Sequence, residues 1–365
     1  MKLQIEKNQL LNPLSQVIRS LGSKTLEILN MVKIVATDNQ IVLTASDMET
    51  EITAVIENPD NTPGEICVSG KMFHNVVKNA PDGTLTIEIK KEFLVVKQRR
   101  ILQKLVTMPT QDYPEFGDVS ANYILVMQSS VLQDMIQKVT PFMGKADVRH
   151  YLNGICMKLD TDMMTIAATD GHRLSVIDHK IDYKQEAHIE ALIAGKSVAY
   201  IAHILEQDKS IELHFSVSQL KAIIGNLTLK TKLIDARYPD FRRVIPDYNA
   251  TTGTIKVSLN EISHAIDRAL AISAVDKFTG VTLTVKDGLL NLRTHTINND
   301  ESDEQIEVEL TGDEFTVGLN APYLKDALSV INTSDVLIKC SGENNGFIIC
   351  PDDERFVTVI MPVRV

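Results

Sequence analysis

The sequence predicts an α+β chain of three similar domains, each with two helices packed on antiparallel sheets. Three observations carry that prediction. A chain of 365 residues is long for a single core, and 44% hydrophobic residues supply enough apolar surface for several. The same order of hydrophobic periods returns three times, and short alternating strands outnumber helical stretches in every copy.

In the first copy Leu3 and Ile5 alternate as in a strand, and Leu10, Leu14, Val17 and Ile18 follow at helical spacing. A second helix opens at Gly70-Lys71, carries Phe73, Val76 and Val77 on one face, and runs through the turn Ala80-Pro81-Asp82-Gly83 into the strand Leu85–Ile89. The second copy repeats this with Ile124 and Val126, then Val131, Met135, Ile136 and Val139, and later Gly195-Lys196, Ile201, Ile204 and Leu205 before Ile211-Glu212-Leu213. In the third, Ile255 and Val257 precede Ile262, Ile266, Ala269 and Leu270, and Gly318-Leu319-Asn320 opens a helix with Tyr323, Leu324 and Leu328 that leads into Val336-Leu337-Ile338. Leu10 falls on Val131 and Ile262 at successive shifts of 121 and 131, and Gly70 falls on Gly195 at 125. Two echoes agree: Tyr113-Pro114-Glu115-Phe116 with Tyr238-Pro239-Asp240-Phe241, and Ala45-Ser46-Asp47 with Ala168-Thr169-Asp170. The expected domains are 1–119, 120–248 and 249–365.

With 37 Lys and Arg against 48 Asp and Glu, the formal charge of -11 argues at first against a phosphate-bearing partner. The six helical windows (8–20, 69–80, 129–143, 195–207, 260–272 and 319–331) reverse this, because they hold seven basic residues against five acids and leave the rest of the chain at -13. Helices packed about 10 Å apart would leave an opening of roughly 10 Å if six formed a circle, and roughly 30 Å if twelve did. Only the larger opening admits a duplex about 20 Å wide, so a ring around DNA needs two chains.

Other classes find little support. Cys67, Cys156, Cys340 and Cys350 lie too far apart for a C-x-x-C pair and read as small buried hydrophobes of a reduced compartment. No cofactor or metal is expected. Tryptophan is absent and aromatics make up 5%, which disfavours stacking platforms for single strands. Ala194-Gly195-Lys196-Ser197 imitates the end of a P-loop, but Glu190 stands where the first glycine belongs. The amino end alternates instead of forming a signal-type apolar block, and no apolar run nears the roughly 20 residues of a membrane span. The expectation is a soluble, cytoplasmic chain.

Thr169-Asp170-Gly171-His172-Arg173 is the most enzyme-like stretch, since an Asp two residues before a His can orient a general base. Asp-Gly is equally a turn, or the edge of a binding pocket, and no nucleophile is marked nearby.

Taken with Arg149-His150-Tyr151-Leu152-Asn153-Gly154 and Tyr238-Pro239-Asp240-Phe241-Arg242-Arg243-Val244-Ile245-Pro246, that stretch resembles the bacterial beta sliding clamp family, the processivity subunits of replicative DNA polymerase. The resemblance runs through the carboxyl end Val359-Ile360-Met361-Pro362-Val363 and implies the DNA clamp fold, a dimer closing into a six-domain ring, and no catalytic activity. It implies a pocket for partner peptides with Thr169, Gly171, His172, Arg173 and Leu174 on one wall, the remainder coming from Leu152, Pro239, Arg243, Val244, Asn320, Tyr323, Val359, Met361 and Val363. Its apolar side chains would hold peptide anchors while His172, Arg173 and Arg243 donate hydrogen bonds. On residues alone, the alternation from Val359 to Val363 is also consistent with an edge strand. DNA-facing positions carry over to Lys24, Lys71, Arg149, Tyr151, Lys196 and Phe278, with Ala146 and Thr279 standing where polar or basic residues are usual. The expected dimer interface sets acidic Glu301 and Glu304 against basic residues that include Arg100, around an apolar centre of Leu105 and Ile272. Gln103 departs there from a familiar large aromatic. The implied partners are duplex DNA read without sequence preference, a second copy, the polymerase catalytic subunit, the clamp loader, and other polymerases or repair proteins.

Overall fold

The computed structural model describes every residue except 23–25, 59–61, 182–187, 207–208, 248–250, 273–278, 299, 343–344, 353–354 and 365. Lys24 and Phe278, expected to face DNA, lie outside the described residues.

The first third contains β1 (Lys2–Glu6), α1 (Lys7–Val17), β2 (Met31–Ala36), β3 (Gln40–Ser46), β4 (Thr50–Glu57), β5 (Gly64–Ser69), α2 (Gly70–Asn79), β6 (Thr84–Lys90), β7 (Phe93–Gln98) and β8 (Ile101–Met108). The second contains β9 (Tyr123–Gln128), α3 (Ser129–Val139), β10 (Gly154–Asp160), β11 (Met163–Thr169), β12 (Arg173–Lys180), β13 (His188–Ala194), α4 (Gly195–Ile204), β14 (Ser210–Phe215), β15 (Gln219–Ile224) and β16 (Leu227–Lys232). The third contains β17 (Gly253–Ser258), α5 (Leu259–Ile272), β18 (Gly280–Lys286), β19 (Leu289–His295), β20 (Glu301–Glu307), β21 (Glu309–Gly312), β22 (Phe315–Asn320), α6 (Ala321–Ser329), β23 (Asp335–Cys340), β24 (Phe347–Cys350) and β25 (Phe356–Ile360). The order strand, helix, strands, helix, strands recurs as the periods predict.

Where helices stop short of their predicted windows, the local chemistry explains it. Pro141 cannot continue α3, so Thr140–Phe142 tighten into a 3-10 turn after Val139. Window 319–331 begins late because Asn320 is the N-cap of α6: its side chain accepts from the Tyr323 N–H at 3.1 Å, with Pro322 in the first turn.

Contacts divide the chain into two compact units, Met1–Gln133 with Lys196–Leu233, and Asp134–Gly195 with Ile234–Val365. The middle third is split because each of its sheets continues a neighbour's. In the first unit a twelve-stranded sheet runs β1-β6-β7-β8-β5-β2-β3-β4-β16-β15-β14-β9 and crosses between thirds where β4 pairs antiparallel with β16, Glu51 facing Lys230. Leu14, Val17, Phe73 and Val77 of α1 and α2 are fully buried in its core. The hydroxyls of Thr50, Ser197 and Thr231 are buried together: Thr231 Oγ1 donates to Ser197 Oγ at 2.8 Å, and Thr50 Oγ1 lies 2.9 Å from Ser197 Oγ. They satisfy one another, as polar groups without water must. Ser197 is thereby committed to the interior, in keeping with the rejection of a P-loop.

The second unit holds a nine-stranded sheet, β13-β10-β11-β12-β25-β24-β23-β17-β21, and a four-stranded sheet, β20-β19-β18-β22. All of β25 is buried between β12 and β24, which corrects the edge-strand alternative: it is a central strand. After Ile360 the chain leaves the sheet, the Met361 N–H donating to His172 O and the Val363 N–H to Gly318 O, both at 2.9 Å.

All four cysteines are buried. Burial pushes the Cys67 thiol up to about 11 and the Cys156 thiol up to about 12, so both stay protonated and unreactive at neutral pH.

Candidate functional site

The sequence Tyr238-Pro239-Asp240-Phe241 builds one wall of a cleft in the second unit. Tyr238 and Phe241 are buried edge to face, ring centroids 6.2 Å apart, in a core shared with Leu152, Leu174 and Val359. The Tyr238 hydroxyl accepts from the Thr169 N–H at 3.1 Å, fixing the turn opposite, and burial raises its own pKa. Within that turn Thr169 Oγ1 donates to Arg173 O at 2.6 Å and accepts from the Gly171 N–H at 3.0 Å. Gly171 takes a φ of +90°, a conformation suited to glycine.

The resulting cleft encloses about 310 Å³. Its floor is the cross-strand pair Leu174 and Val359 with Leu152, and its sides are Pro239, Phe241, Val244 and Met361. Thr169, Gly171, His172 and Arg173 form the polar rim, joined by Arg149, Tyr151 and Asp240. Ten of the fourteen residues expected at a peptide pocket therefore meet here.

The other four stand apart from this lining. Arg243 turns away, its Nε donating to Asp240 Oδ2 at 2.8 Å, and lines an adjoining hollow of about 380 Å³ beside Pro246 and Met361. Asn320 caps α6, Tyr323 holds its ring 6.4 Å from that of His172, and Val363 is engaged through its backbone. Phe241 and Asp240 were missed as lining residues, although their place in a repeated Tyr-Pro-acid-Phe motif marked the segment. Arg149 and Tyr151, assigned by resemblance to DNA, lie on the cleft rim. Arg149 donates to both Asp147 oxygens and to Asp170 O, and the hydrogen bonds from its guanidinium hold the Asp147 carboxyl down at about 2.

The structure corrects the role expected of Arg173. Its side chain is only 6% exposed, and each guanidinium nitrogen is occupied: Nε donates to Asp170 Oδ2 at 3.0 Å, one terminal amine to Asp326 Oδ2 at 2.5 Å and the other to Pro141 O at 2.7 Å. Its guanidinium carbon lies 4.2 Å from the Tyr323 ring centre. Arg173 is a brace for the cleft wall, and His172 is the exposed donor of the pair. Asp170 is also committed, one carboxylate oxygen accepting from the backbone N–H groups of His172 and Arg173 and the other from the Arg173 side chain. An acid so engaged orients the turn; the geometry does not favour the general-base alternative.

Helix charge is less free than the count of basic residues implies. Lys138 pairs with Asp134 at 2.7 Å, Lys325 with Asp267 at 2.6 Å, Lys196 with Asp47, and Arg268 donates to Glu304 at 2.9 Å. Lys71 and Lys78 stand exposed on α2. Glu304 and Glu301, expected at the dimer interface, sit on the edge strand β20, where Glu301 pairs with Arg293 at 3.2 Å. β8 meets β5 only at its end, at Thr107 and Met108, leaving its Ile101–Val106 edge without a ladder partner among the described residues. Leu105 faces inward and is buried, so the apolar surface β8 offers is Ile101, Leu102 and Val106 instead; Arg100 and Ile272 are exposed.

Three family models match the chain in succession: the N-terminal domain of the DNA polymerase III beta subunit over residues 1–117, its central domain over 126–240 and its C-terminal domain over 242–364. A beta sliding clamp of Proteus mirabilis is 30% identical over 341 residues, covering 92% of each chain. One from Vibrio cholerae serotype O1 is 29% identical over 371 residues, covering 100% of both. The crystal structure of a Pseudomonas aeruginosa sliding clamp (DNA polymerase III subunit beta) bound to griselimycin is similar with a TM-score of 0.96 at 28% identity, again covering 100% of both chains.

Proposed function

The chain belongs to the DNA polymerase III beta subunit family, the beta sliding clamps, and we propose from this that two copies close into a ring around duplex DNA that tethers the replicative polymerase. The observation that carries the reading is the apolar cleft over Leu174 and Val359, with a fixed turn and exposed His172 at its rim. Such a cleft takes the apolar anchors of a short linear peptide, and the unbranched Met361 lets it accept several partners in turn. The partners are the polymerase catalytic subunit, the clamp loader, and other polymerases or repair proteins. The protein acts by tethering and performs no catalysis.

The domains are 1–119, 120–248 and 249–365, a division that the three family-model spans support. Lys71, Lys196, Arg149 and Tyr151 face the duplex; Lys24 and Phe278, outside the described residues, belong to the same set by family resemblance alone. The pairing of Lys196 with Asp47 and of Arg149 with Asp147 keeps this field modest. Weak, sequence-independent contacts suit a ring that must slide, because base-specific contacts would hold it in place. Two free strand edges, β8 and β20, are the surfaces on which the copies meet, bringing Arg100 near Glu301 and Glu304 with Leu105 beneath and Ile272 beside them. No helix among the described residues is long and apolar enough to cross a membrane, and the proposed setting is the cytoplasm.

The native mass tests the ring. In sedimentation at micromolar concentration the protein is expected at twice the chain mass. A single-chain mass would leave six helices, whose circle of about 10 Å cannot admit a duplex.

A further inference from the structure

The first third carries its own version of the cleft wall. Tyr113-Pro114-Glu115-Phe116 stands where the second third has Tyr238-Pro239-Asp240-Phe241, and the strand pair β4 and β16 stands where it has β12 and β25. At the register where Leu174 faces Val359, Glu51 faces Lys230. The residue after the motif differs as well. Arg242 lies over the Phe241 ring at 5.6 Å and reaches Asp178 Oδ1 at 2.5 Å, whereas its counterpart is Gly117, with a φ of +76° and nothing within 4 Å of where a side chain would begin. Phe116 is accordingly half-exposed while Phe241 is buried. What remains is a hollow of about 540 Å³ in the first unit.

Its charge specifies an occupant. The carboxylates of Glu51, Glu115 and Asp118 line it against the ammonium groups of Lys33 and Lys230. Lys230 is already shared among Glu51 at 3.5 Å, Asp118 at 3.6 Å and the Gly117 carbonyl at 2.9 Å. The lining is short of one positive charge, and Glu51, 8% exposed, is the acid least helped by water. Burial holds its carboxyl above the ordinary range despite the attraction of Lys230 and Lys33. An anion would meet three carboxylates here; a planar cation would meet an aromatic face and a buried acid.

We propose that this hollow is a second recognition site, which takes an arginine side chain from an extended partner segment, its guanidinium over Phe116 and against Glu51. The site is separate from the apolar cleft and does not depend on ring formation.

The test uses the full chain and the blocked tripeptide acetyl-Ala-Arg-Ala-amide, followed by NMR. Saturable shifts at Phe116 and Gly117 are expected, with a dissociation constant on the order of 1 mM. The citrulline counterpart, equal in shape but uncharged, is expected to bind about tenfold more weakly. Glu51→Gln should weaken the arginine probe about fivefold or more, and Gly117→Arg, which supplies the guanidinium from the chain itself, should abolish its binding. Absence of shifts at about 10 mM probe, equal binding of the citrulline peptide, or unchanged binding to both variants would overturn the proposal.

Discussion

Arg173→Ala is expected to lower the unfolding free energy by about 2–4 kcal/mol and the melting temperature by roughly 5–10 °C. The guanidinium is nearly buried and joins the turn at Asp170, the 3-10 turn after α3 at Pro141 O and helix α6 at Asp326, while it lies over the ring of Tyr323. Removal strands Asp170 in a poorly hydrated turn and opens a void between the three elements. Asp326 is 41% exposed, so water takes over part of its loss, which places the effect below that of a fully buried pair. Arg173→Lys retains the charge but cannot serve three acceptors in a plane, and should recover less than half of the deficit. Urea titration of the two variants decides the matter: a change under about 0.5 kcal/mol for the alanine variant would show that the brace carries no load.

The second large effect concerns recognition alone. Val244→Asp is expected to weaken a fluorescent peptide bearing Leu and Phe anchors about 100-fold, with the melting temperature unchanged. Val244 is 55% exposed on the cleft's side, so an aspartate is tolerated while water reaches it. A bound peptide would strip that water away and bury the carboxylate beside Asp240, a desolvation of about 2–3 kcal/mol. Anisotropy titration showing less than about a threefold loss would place the peptide somewhere else.

The helices α2, α4 and α5 begin where the hydrophobic periods place them, within one residue, because local spacing alone marks a buried face. Long-range pairings left no such mark. Glu51 and Lys230 face each other across about half the length of the chain, and nothing local announces that β4 continues into β16. The same holds at the site. The Tyr-Pro-acid-Phe repeat and the Thr169–Leu174 turn are local signatures, and they located the cleft. Arg173 read as a free donor because its partners Asp326 and Pro141 lie 153 and 32 residues away. Asn320 read as a pocket residue although an Asn two residues before a helical Pro is also an N-cap signal. That Arg149 and Tyr151, DNA-facing by family resemblance, also reach the cleft rim depends on the 3-10 turn His150–Leu152, which no local pattern announced.

Retention on DNA of two topologies tests the ring most directly. Protein loaded onto nicked circular duplex and passed through a sizing column at moderate salt is expected to elute with the DNA, and cutting the same circle once before the column should release it, because a topological link has no end to slide from until one is made. Equal retention on the circular and the linear form would contradict encirclement and show that the chain holds DNA by surface contacts instead.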